Sequence, residues 1–365
     1  MKLKTISIST AVLLAAAILG WMLNQRGGAP PAQGRAGQVM LDPALFQQSA
    51  TLRFDSGGDK ATLRATDQSW VVEESYDFPV QREFLSQFIF KLSEIKYERL
   101  VTRDPAVFPE LGVMTTAENG GKAEEKKTGV EFQMLDDKGQ SLFHVVFGNR
   151  RGGEAGGQVT GAGGMYVRDL DEGTVYLLSG APRVIVKATD WIQVVILELD
   201  EKKDIQRFAI QQPGLGKRVF TRVGVPPEKE DTDTKVEWTI EPMQLGRKIS
   251  HRAIGEVAKG LGDLFMVNVA PPGLTAEQMG RTQLSTVEID LFDGRRFQIT
   301  MGVKADKEGQ RYMTIEASLV PGTTDEAVRK QVDEYNRQFK GRIFIVHGWE
   351  ADRILPSKDG VYEEA

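Results

Sequence analysis

The stretch that decides the fold is residues 130–148, VEFQMLDDKGQSLFHVVFG. On both sides of the turn at 136–139, apolar residues alternate with polar ones. The apolar positions are Val130, Phe132, Met134, Phe143, Val145 and Phe147. A period of two is typical of a strand with one buried face, and a short polar turn joins antiparallel neighbours. The stretch therefore predicts a β-hairpin in an antiparallel sheet that is covered on one face.

The same pattern occurs again at residues 287–302, VEIDLFDGRRFQITMG. Upstream of each hairpin lie two strand patterns, a short strand that begins with Trp70 or Trp238, and an amphipathic helix pattern. The predicted strands are 51–54, 61–65, 70–72, 165–168 and 174–178 in the first half, and 205–211, 217–223 and 238–240 in the second. This order predicts an α+β fold of two tandem diverged repeats, each an antiparallel sheet with a packed helix.

The first helix is predicted to start at Asp77 and Pro79 and to end near Glu94, because Phe88 and Leu92 continue a helical spacing. The second helix is predicted from its apolar face at Ile254, Val257, Ala258 and Leu261.

A helix and a strand close the chain. Thr323 and Glu326 have the spacing of a capping box, which predicts a helix start. The apolar face of this helix comprises Val328, Val332, Tyr335 and Phe339, and a short strand follows at 343–346. We predict a first repeat at 41–199, a second at 200–320 and a C-terminal helix-strand module at 321–365.

An apolar segment at residues 6–23 is close to the length of about 20 residues that a helix needs to cross a bilayer. Its membrane-anchoring residues are Ile6, Val12, Leu13, Leu14, Ile18, Leu19, Trp21 and Leu23. Lys2 and Lys4 precede it, which favours a cytoplasmic N-terminus, although Arg26 and Arg35 weaken the asymmetry. We predict one transmembrane helix at 1–26 in the inner membrane, with the remaining mass periplasmic or extracellular.

A cleaved signal peptide is the alternative interpretation of this segment. The residues around Trp21 and Arg26 make a poor cleavage site, whereas cleavage near Ala29 or Ala32 stays open. The Gly- and Pro-rich stretch at 27–40 predicts a flexible linker.

Composition excludes several kinds of site. The chain of 365 residues has no cysteine, so disulfides, thiolate metal sites and a cysteine nucleophile are excluded. The formal charge of −5, with Lys and Arg spread among the acids, argues against nucleic acid as a partner.

Each group that could carry chemistry also has a structural interpretation. His144, His251 and His347 are not spaced as a helix-borne metal pair. The Gly-rich loop at 151–164 lacks the Lys-Ser/Thr of a phosphate-binding loop, and the Pro213 stretch is a turn between strands.

The acidic stretch 169–172 lacks EF-hand spacing, and Ser179 has no base nearby in sequence. Trp70 and Trp238 are predicted to be core residues at equivalent repeat positions. We therefore predict no catalytic, cofactor-binding or metal-binding residue, and no enzyme.

Short motifs in the first half resemble the DUF4340 family when taken in order. They are Trp70-Val71-Val72, Tyr76-Asp77-Phe78-Pro79-Val80, Phe108-Pro109-Glu110-Leu111-Gly112-Val113, Phe147-Gly148, Tyr166-Val167-Arg168, Val175-Tyr176-Leu177 and Asp190-Trp191-Ile192. The resemblance covers 41–199 well and the second half loosely. An insert at 119–127 and the Gly-rich loop depart from the family pattern.

The DUF4340 family is functionally uncharacterised, and the resemblance implies an N-terminal membrane helix. It also implies association with ABC-2-type transport systems like those of gliding motility, with an ABC permease or an auxiliary envelope subunit as partner. An accessory, non-catalytic protein is thus the leading hypothesis. The alternatives are an envelope module that binds a glycan or an exported substrate, and a hydrolase that uses paired carboxylates; the oligomeric state stays open.

Overall fold

The computed structural model describes residues 34–67, 69–151, 163–224, 236–275, 277–280, 283–302 and 309–363. The strands are β1 (Thr51–Asp55), β2 (Lys60–Ala65), β3 (Trp70–Val72), β4 (Phe78–Pro79), β5 (Tyr97–Thr102), β6 (Val130–Leu135), β7 (Ser141–Arg150), β8 (Met165–Asp169), β9 (Thr174–Leu178), β10 (Val195–Glu198), β11 (Ile205–Gln212), β12 (Gly216–Arg222), β13 (Trp238–Glu241), β14 (Asp263–Phe265), β15 (Asn268–Val269), β16 (Ser285–Leu291), β17 (Arg295–Met301), β18 (Gln310–Leu319) and β19 (Phe344–His347). The helices are α1 (Pro43–Gln48), α2 (Arg82–Glu94), α3 (Phe108–Leu111), α4 (His251–Gly262), α5 (Glu326–Phe339) and α6 (Gly348–Ile354).

The chain divides into two compact units. The first comprises the described parts of Met1–Glu73 and Val80–Trp191, and the second comprises those of Glu74–Pro79 and Ile192–Ala365. Large antiparallel sheets and few helices make the fold α+β, as predicted.

The sheet of the first unit has the strand order β3-β2-β1-β6-β7-β8-β9-β5, and its neighbours are antiparallel. The predicted hairpin forms β6 and β7, with Phe132 opposite Val145. Alternation buries one face of β6, as the period of two requires.

Aromatic side chains make the centre of the first unit's core. The rings of Phe54 and Phe132 stack at 4.8 Å, and Phe88 of α2 meets Phe54 edge-on at 5.4 Å. Trp191 closes the cluster at 5.1 Å from Phe54. Such offset and edge-on pairs add about 0.5–1.5 kcal/mol each beyond area burial. The face of α2 that packs here is the one its helical periodicity predicts.

The sheet of the second unit has the strand order β13-β12-β11-β16-β17-β18-β19-β15, again antiparallel. Strands β10 and β14 of this unit form a separate antiparallel pair. Because β19 pairs with β18, the stretch predicted as a separate C-terminal module is part of this sheet. Phe208 stacks on Phe220 at 4.6 Å and meets Trp238 edge-on at 5.3 Å.

Residues 74–79 belong to the second unit, and this corrects the predicted start of α2. Phe78 is fully buried and packs against Phe339 and Phe344, with ring centroids 6.1 and 6.2 Å away. The helix itself starts only at Arg82. Phe78 and Pro79 form the short strand β4, so Pro79 does not lie in a first helical turn.

The predicted capping box of α5 is also wrong. The carboxylate of Asp325 accepts a 2.8 Å hydrogen bond from the backbone N–H of Ala327 and is the N-cap. Thr323 instead donates its hydroxyl to the carbonyl of Gly294. Asp is among the best N-cap residues, so the closer carboxylate takes that position.

The predicted membrane anchor lies outside the described residues. Within the described ranges, we find no helix that is both long enough and apolar enough to span a membrane.

The predicted linker is described from residue 34 onward, and there hydrogen bonds hold it against the fold. The backbone N–H of Gly37 donates to Tyr97 at 2.7 Å, that of Met40 donates to Ile95 at 2.7 Å, and Met40 and Leu41 are buried.

Candidate functional site

The acidic stretch 169–172 forms the turn between β8 and β9, and Arg35 occupies it. Nη1 of Arg35 lies 3.0 Å from Oδ2 of Asp169, and its Nε lies 2.9 Å from Oε1 of Glu172. Asp169 also accepts backbone hydrogen bonds from Asp171 and Glu172, both at 3.0 Å. The carboxylates of Asp169 and Glu172 thus hold a guanidinium, where a calcium loop would need them for a metal.

Two tyrosines complete this ion-pair cluster. The hydroxyl of Tyr176 donates to Glu172 at 2.8 Å and accepts from the backbone N–H of Arg35 at 3.2 Å. The Arg35 guanidinium lies over the ring of Tyr97, 5.9 Å from its centroid. The buried Tyr97 hydroxyl has no hydrogen-bond partner within the described part of the chain.

The environment shifts the ionisation of this cluster. Burial raises the pKa of Asp169, and the backbone N–H of Glu172 and the charge of Arg35 only partly oppose it. Burial would also raise the pKa of Glu172, but hydrogen bonds from Tyr176 and Arg35 hold it below its ordinary value. Burial disfavours the charged Arg35, yet its hydrogen bond to Glu172 and the nearby negative charges raise its pKa. The contact between Arg35 and Glu172 thus favours the charged form of both groups, whereas burial opposes the charge of Asp169.

The three histidines have different neighbours. His144 in β7 lies opposite Gln133 of β6, and its Nε2 reaches the diagonal neighbour Glu131 at 2.7 Å. His347 stacks on Trp349 with ring centroids 5.8 Å apart. Among the residues that the structure describes, no group of three or more His, Asp or Glu side chains is placed to hold a metal ion.

His251 is the first residue of α4, and its ring caps the edge of a sheet. Its Nδ1 accepts a 3.0 Å hydrogen bond from the backbone N–H of Trp238 in β13. Because that backbone group can only donate, the neutral ring carries its proton on Nε2. The hydrogen bond gives a partner to a backbone N–H of β13, the edge strand of its sheet.

Other candidates from the sequence have structural roles or lie outside the described ranges. The Oγ of Ser179 accepts from the backbone N–H of Lys96 at 3.0 Å and joins β9 to the segment before β5. The turn at 213–215 joins β11 to β12 as predicted. Residues 152–162 of the Gly-rich loop lie outside the described ranges.

Trp70 and Trp238 differ in register and in burial. In β2, Ala65 lies opposite Trp70, three positions after the residue that lies opposite Arg53. In β12, Arg222 lies opposite Trp238, one position after the residue that lies opposite Arg207. Trp238 is buried, as predicted. Trp70 is only half-buried and stacks on Phe46 of α1 at 5.5 Å. Each tryptophan begins its strand, but counted from Arg53 and Arg207 the two registers differ by two residues, which similar short strands do not reveal in sequence.

A cleft of about 520 Å³ lies along α4. Its lining includes Glu201, Lys202, Trp238, His251, Glu256 and Lys259. Carboxylates and cations mix around it, so it offers donors and acceptors to a polar ligand. Among the described lining residues, the side chain of Trp238 is buried and does not present its face to a ligand.

Comparison with known proteins gives one match, over residues 70–247. The matching family is DUF4340, a domain of unknown function. The DUF4340 match starts at Trp70 rather than near 41 and continues past 199 to Arg247, so it includes β11, β12 and β13. Comparisons with curated proteins and with solved structures give no significant match.

Within the region that matches DUF4340, buried arginines hold loops against the sheets, and the sequence analysis did not identify them. Arg168 of β8 is almost fully buried and holds both carboxylate oxygens of Glu118, at 2.8 and 2.9 Å. Its guanidinium lies over Phe108, 4.6 Å from the ring centroid. The signal in the sequence is an arginine that interrupts the apolar stretch of β8, a position where charge is costly unless it is paired.

Arg218 and Arg222 lie in the same matched region and belong to the second unit. Arg218 donates to the carbonyls of Pro356 and Ser357 at 2.7 and 3.0 Å, which fastens the C-terminal stretch. Arg222 donates to the carbonyl of Lys202. Burial lowers the pKa of both guanidinium groups. The charged groups of Arg218 and Arg222 thus bind backbone carbonyls of the protein itself.

Proposed function

We propose that this chain is a membrane-anchored, extracytoplasmic accessory protein of an ABC-2-type transport system that acts through protein contacts. Three observations support the proposal: the apolar segment 6–23, the DUF4340 domain, and the docking of the chain from Gly34 onward. The docking is the observation that carries it.

The docking limits how far the folded part can lie from the anchor. Only residues 24–33 separate Leu23 from the docked Gly34. Even a fully extended chain of that length spans no more than roughly 40 Å. A short tether of this kind keeps the first unit close to the membrane, where a permease or an auxiliary subunit would meet it.

Topology has a direct test, because the chain has no cysteine of its own. The variant Asp137→Cys introduces a single thiol at an exposed turn position. A membrane-impermeant maleimide should label it in intact cells if the folded part is extracytoplasmic. Labelling only after lysis would reverse the orientation. The intact mass of the purified protein distinguishes a retained anchor from a cleaved signal peptide.

The partner is tested by affinity purification of the full chain from mild detergent. We expect a permease or an auxiliary envelope subunit to co-purify. The control is a Leu13→Arg, Leu14→Arg double variant, in which two charges in the apolar segment disfavour insertion and should abolish recovery from membranes. Recovery of the wild-type chain alone, without a membrane partner, would count against the proposal.

We also propose that the two units descend from one duplicated domain. Their strand orders correspond position by position. Strand β6 lies beside β1 as β16 lies beside β11, and β5 lies beside β9 at one edge as β15 lies beside β19. The register of the central pair corresponds too. Phe54 lies opposite Phe132, and Phe208 lies opposite Ile289, each one residue after an arginine. Experimental coordinates of the two units should superpose strand by strand in that correspondence, and a different strand order in either would refute it.

A ligand-binding module is the second candidate function, favoured by the cleft along α4. Its volume lies within the range of about 300–1,000 Å³ that is usual for small-molecule sites. Thermal-shift screening of glycan and peptide fragments, with Glu256→Gln as the cleft variant, tests this. If no fragment stabilises the wild type more than it stabilises the variant, this candidate function is refuted. The carboxylate-dependent hydrolase stays a hypothesis.

A further inference from the structure

We propose that residues 34–39 form a releasable strap, which holds the tether short when docked and lengthens it when released. The inference rests on the proposed membrane anchorage. The strap is the part of the chain that precedes the buried Met40 and Leu41. These two residues are its base and stay in the core when the strap detaches.

The local sequence of the strap matches its docked conformation. Gly34 and Gly37 have φ values of +85° and +86°, a region that residues with a side chain rarely adopt. A Cβ at Gly34 would also lie 2.4 Å from the hydroxyl of Tyr176. The N–H of Gln38 donates to the carbonyl of Arg35 at 3.0 Å, which closes a turn that follows Gly34 and contains Gly37. The glycines therefore allow the close approach that brings Arg35 to the acidic turn.

Arg35 supplies most of the polar contacts that hold the strap. Its side chain pairs with Asp169 and Glu172, and its backbone N–H donates to Tyr176. Hydrogen bonds from an ionised donor to carboxylates are about twice as strong as neutral ones. Arg35 thus makes the strongest polar contacts of the strap, and backbone hydrogen bonds supply the rest.

Backbone contacts add two hydrogen bonds and a β-bridge between Val39 and Lys96. The N–H of Gly37 donates to Tyr97 at 2.7 Å, and the N–H of Tyr97 donates to Gln38 at 3.0 Å. Gly34, Gly37 and Gln38 are exposed, so detachment uncovers little apolar surface. A segment with few buried contacts opens at low cost while the core stays folded. Loss of the Arg35 contacts should therefore free the strap alone.

Release changes the reach of the tether. Six residues would join the free chain, and each can add up to about 3.5 Å when extended. The folded part could then lie up to roughly 20 Å further from the membrane. The docked and released states would place the first unit at different heights above a membrane partner.

Trypsin tests the strap directly, because it cleaves after Arg35 only when that residue is accessible. The full chain in detergent is compared with an Asp169→Asn, Glu172→Gln double variant, which keeps hydrogen-bond acceptors but removes both charges. Asp171→Asn, at the exposed neighbouring position, is the matched control. We expect cleavage after Arg35 to rise at least about tenfold in the double variant, the effect of losing a charge-assisted hydrogen bond, and to stay unchanged in the control.

Equal cleavage rates in the folded double variant and the wild type would overturn the strap. If the double variant unfolds, Arg35→Lys applies the same test from the other side. Lysine remains a trypsin site but lacks the fork that reaches two carboxylates at once. Faster cleavage of Arg35→Lys supports the strap, and an unchanged rate overturns it.

Tether length is measured separately in proteoliposomes, by energy transfer from a dye on Asp137→Cys to a lipid-borne acceptor. We expect less transfer when the strap-releasing substitutions are added. If trypsin reports release but energy transfer does not change, the lengthening of the tether is refuted; if even the wild type shows no energy transfer, the proposed anchorage fails. If trypsin reports no release, the strap fails whatever the membrane arrangement.

Discussion

The Nη1 atom of Arg342 donates a 3.0 Å hydrogen bond to the carbonyl oxygen of Tyr76, which lies 266 positions earlier in the chain. Nη2 donates to the next carbonyl, that of Asp77, at 3.1 Å. The same guanidinium lies over the ring of Phe78, 5.3 Å from its centroid. Burial lowers the pKa of Arg342, with the charge of Asp77 opposing it. One side chain thus holds three consecutive residues of the 74–79 segment in the second unit.

Replacing Arg342 should therefore destabilise the second unit. We expect Arg342→Ala to lower the free energy of unfolding by about 2 kcal/mol, since hydrogen bonds to charged groups contribute about 1.5–3 kcal/mol. Urea-induced unfolding followed by tryptophan fluorescence measures it. Arg337→Ala, at an exposed position of α5, is the control and should change it by less than about 0.5 kcal/mol. Equal effects of the two substitutions would contradict the role given to Arg342.

Phe78 should contribute more than Arg342, because its side chain is fully buried between two other phenylalanines. Phe78→Ala should cost about 3–5 kcal/mol, the usual range for emptying a buried phenylalanine site. Phe90→Ala removes the same atoms from a side chain that is 56 % exposed and should cost less than about 1 kcal/mol. Calorimetric unfolding of both variants gives the comparison, and similar losses would show that Phe78 is not part of the core.

The sheets were predictable from sequence, whereas most side-chain contacts between distant segments were not. The alternation in residues 130–148 and 287–302 predicts both hairpins, because a strand with one buried face must alternate. Nothing near Phe78 in the sequence indicates that its partners are Phe339 and Phe344. The motif at 76–80 therefore suggested a helix start, although its residues serve packing in the second unit.

The strap shows a second limit of sequence reasoning. Glycine and proline enrichment at 27–40 predicts flexibility, yet Gly34 and Gly37 are needed for positive φ in a docked turn. Composition cannot separate these two uses of glycine. The acidic stretch 169–172 was visible in the sequence, but its partner Arg35 lies more than 130 positions away, and only the sheet order brings them together.

Lys126 offers a stabilising substitution. Its φ of +74° is unfavourable for a residue with a side chain, and the side chain is exposed. Lys126→Gly should raise the free energy of unfolding by up to about 1 kcal/mol, because glycine adopts this conformation without strain. Lys122→Gly, in the same loop but without a positive φ, should lower it by about 0.5 kcal/mol through the greater entropy of the unfolded chain. Opposite signs in urea unfolding support the assignment, and a loss in both variants would refute it.

The pair of Glu118 and Arg168 should make stability depend on pH in the acid range. Burial would raise the pKa of Glu118, but the backbone N–H of Thr115 and the Arg168 guanidinium outweigh it and lower the pKa below its ordinary 4.5. A carboxylate with a lowered pKa in the folded state stabilises the protein above its ordinary pKa. That contribution is lost as the pH falls below 4.5 and through the folded-state value.

Unfolding curves at successive pH values test this dependence with Glu118→Gln. We expect the variant to be less stable than the wild type at neutral pH, and the difference to shrink as the pH falls below 4.5. Glu125→Gln, at an exposed position in the same loop, should follow the wild type at every pH. A constant difference between Glu118→Gln and the wild type across this range would mean that the ionised pair with Arg168 does not stabilise the fold. Buried Arg168 would then be held by Phe108 and the surrounding strands rather than by charge.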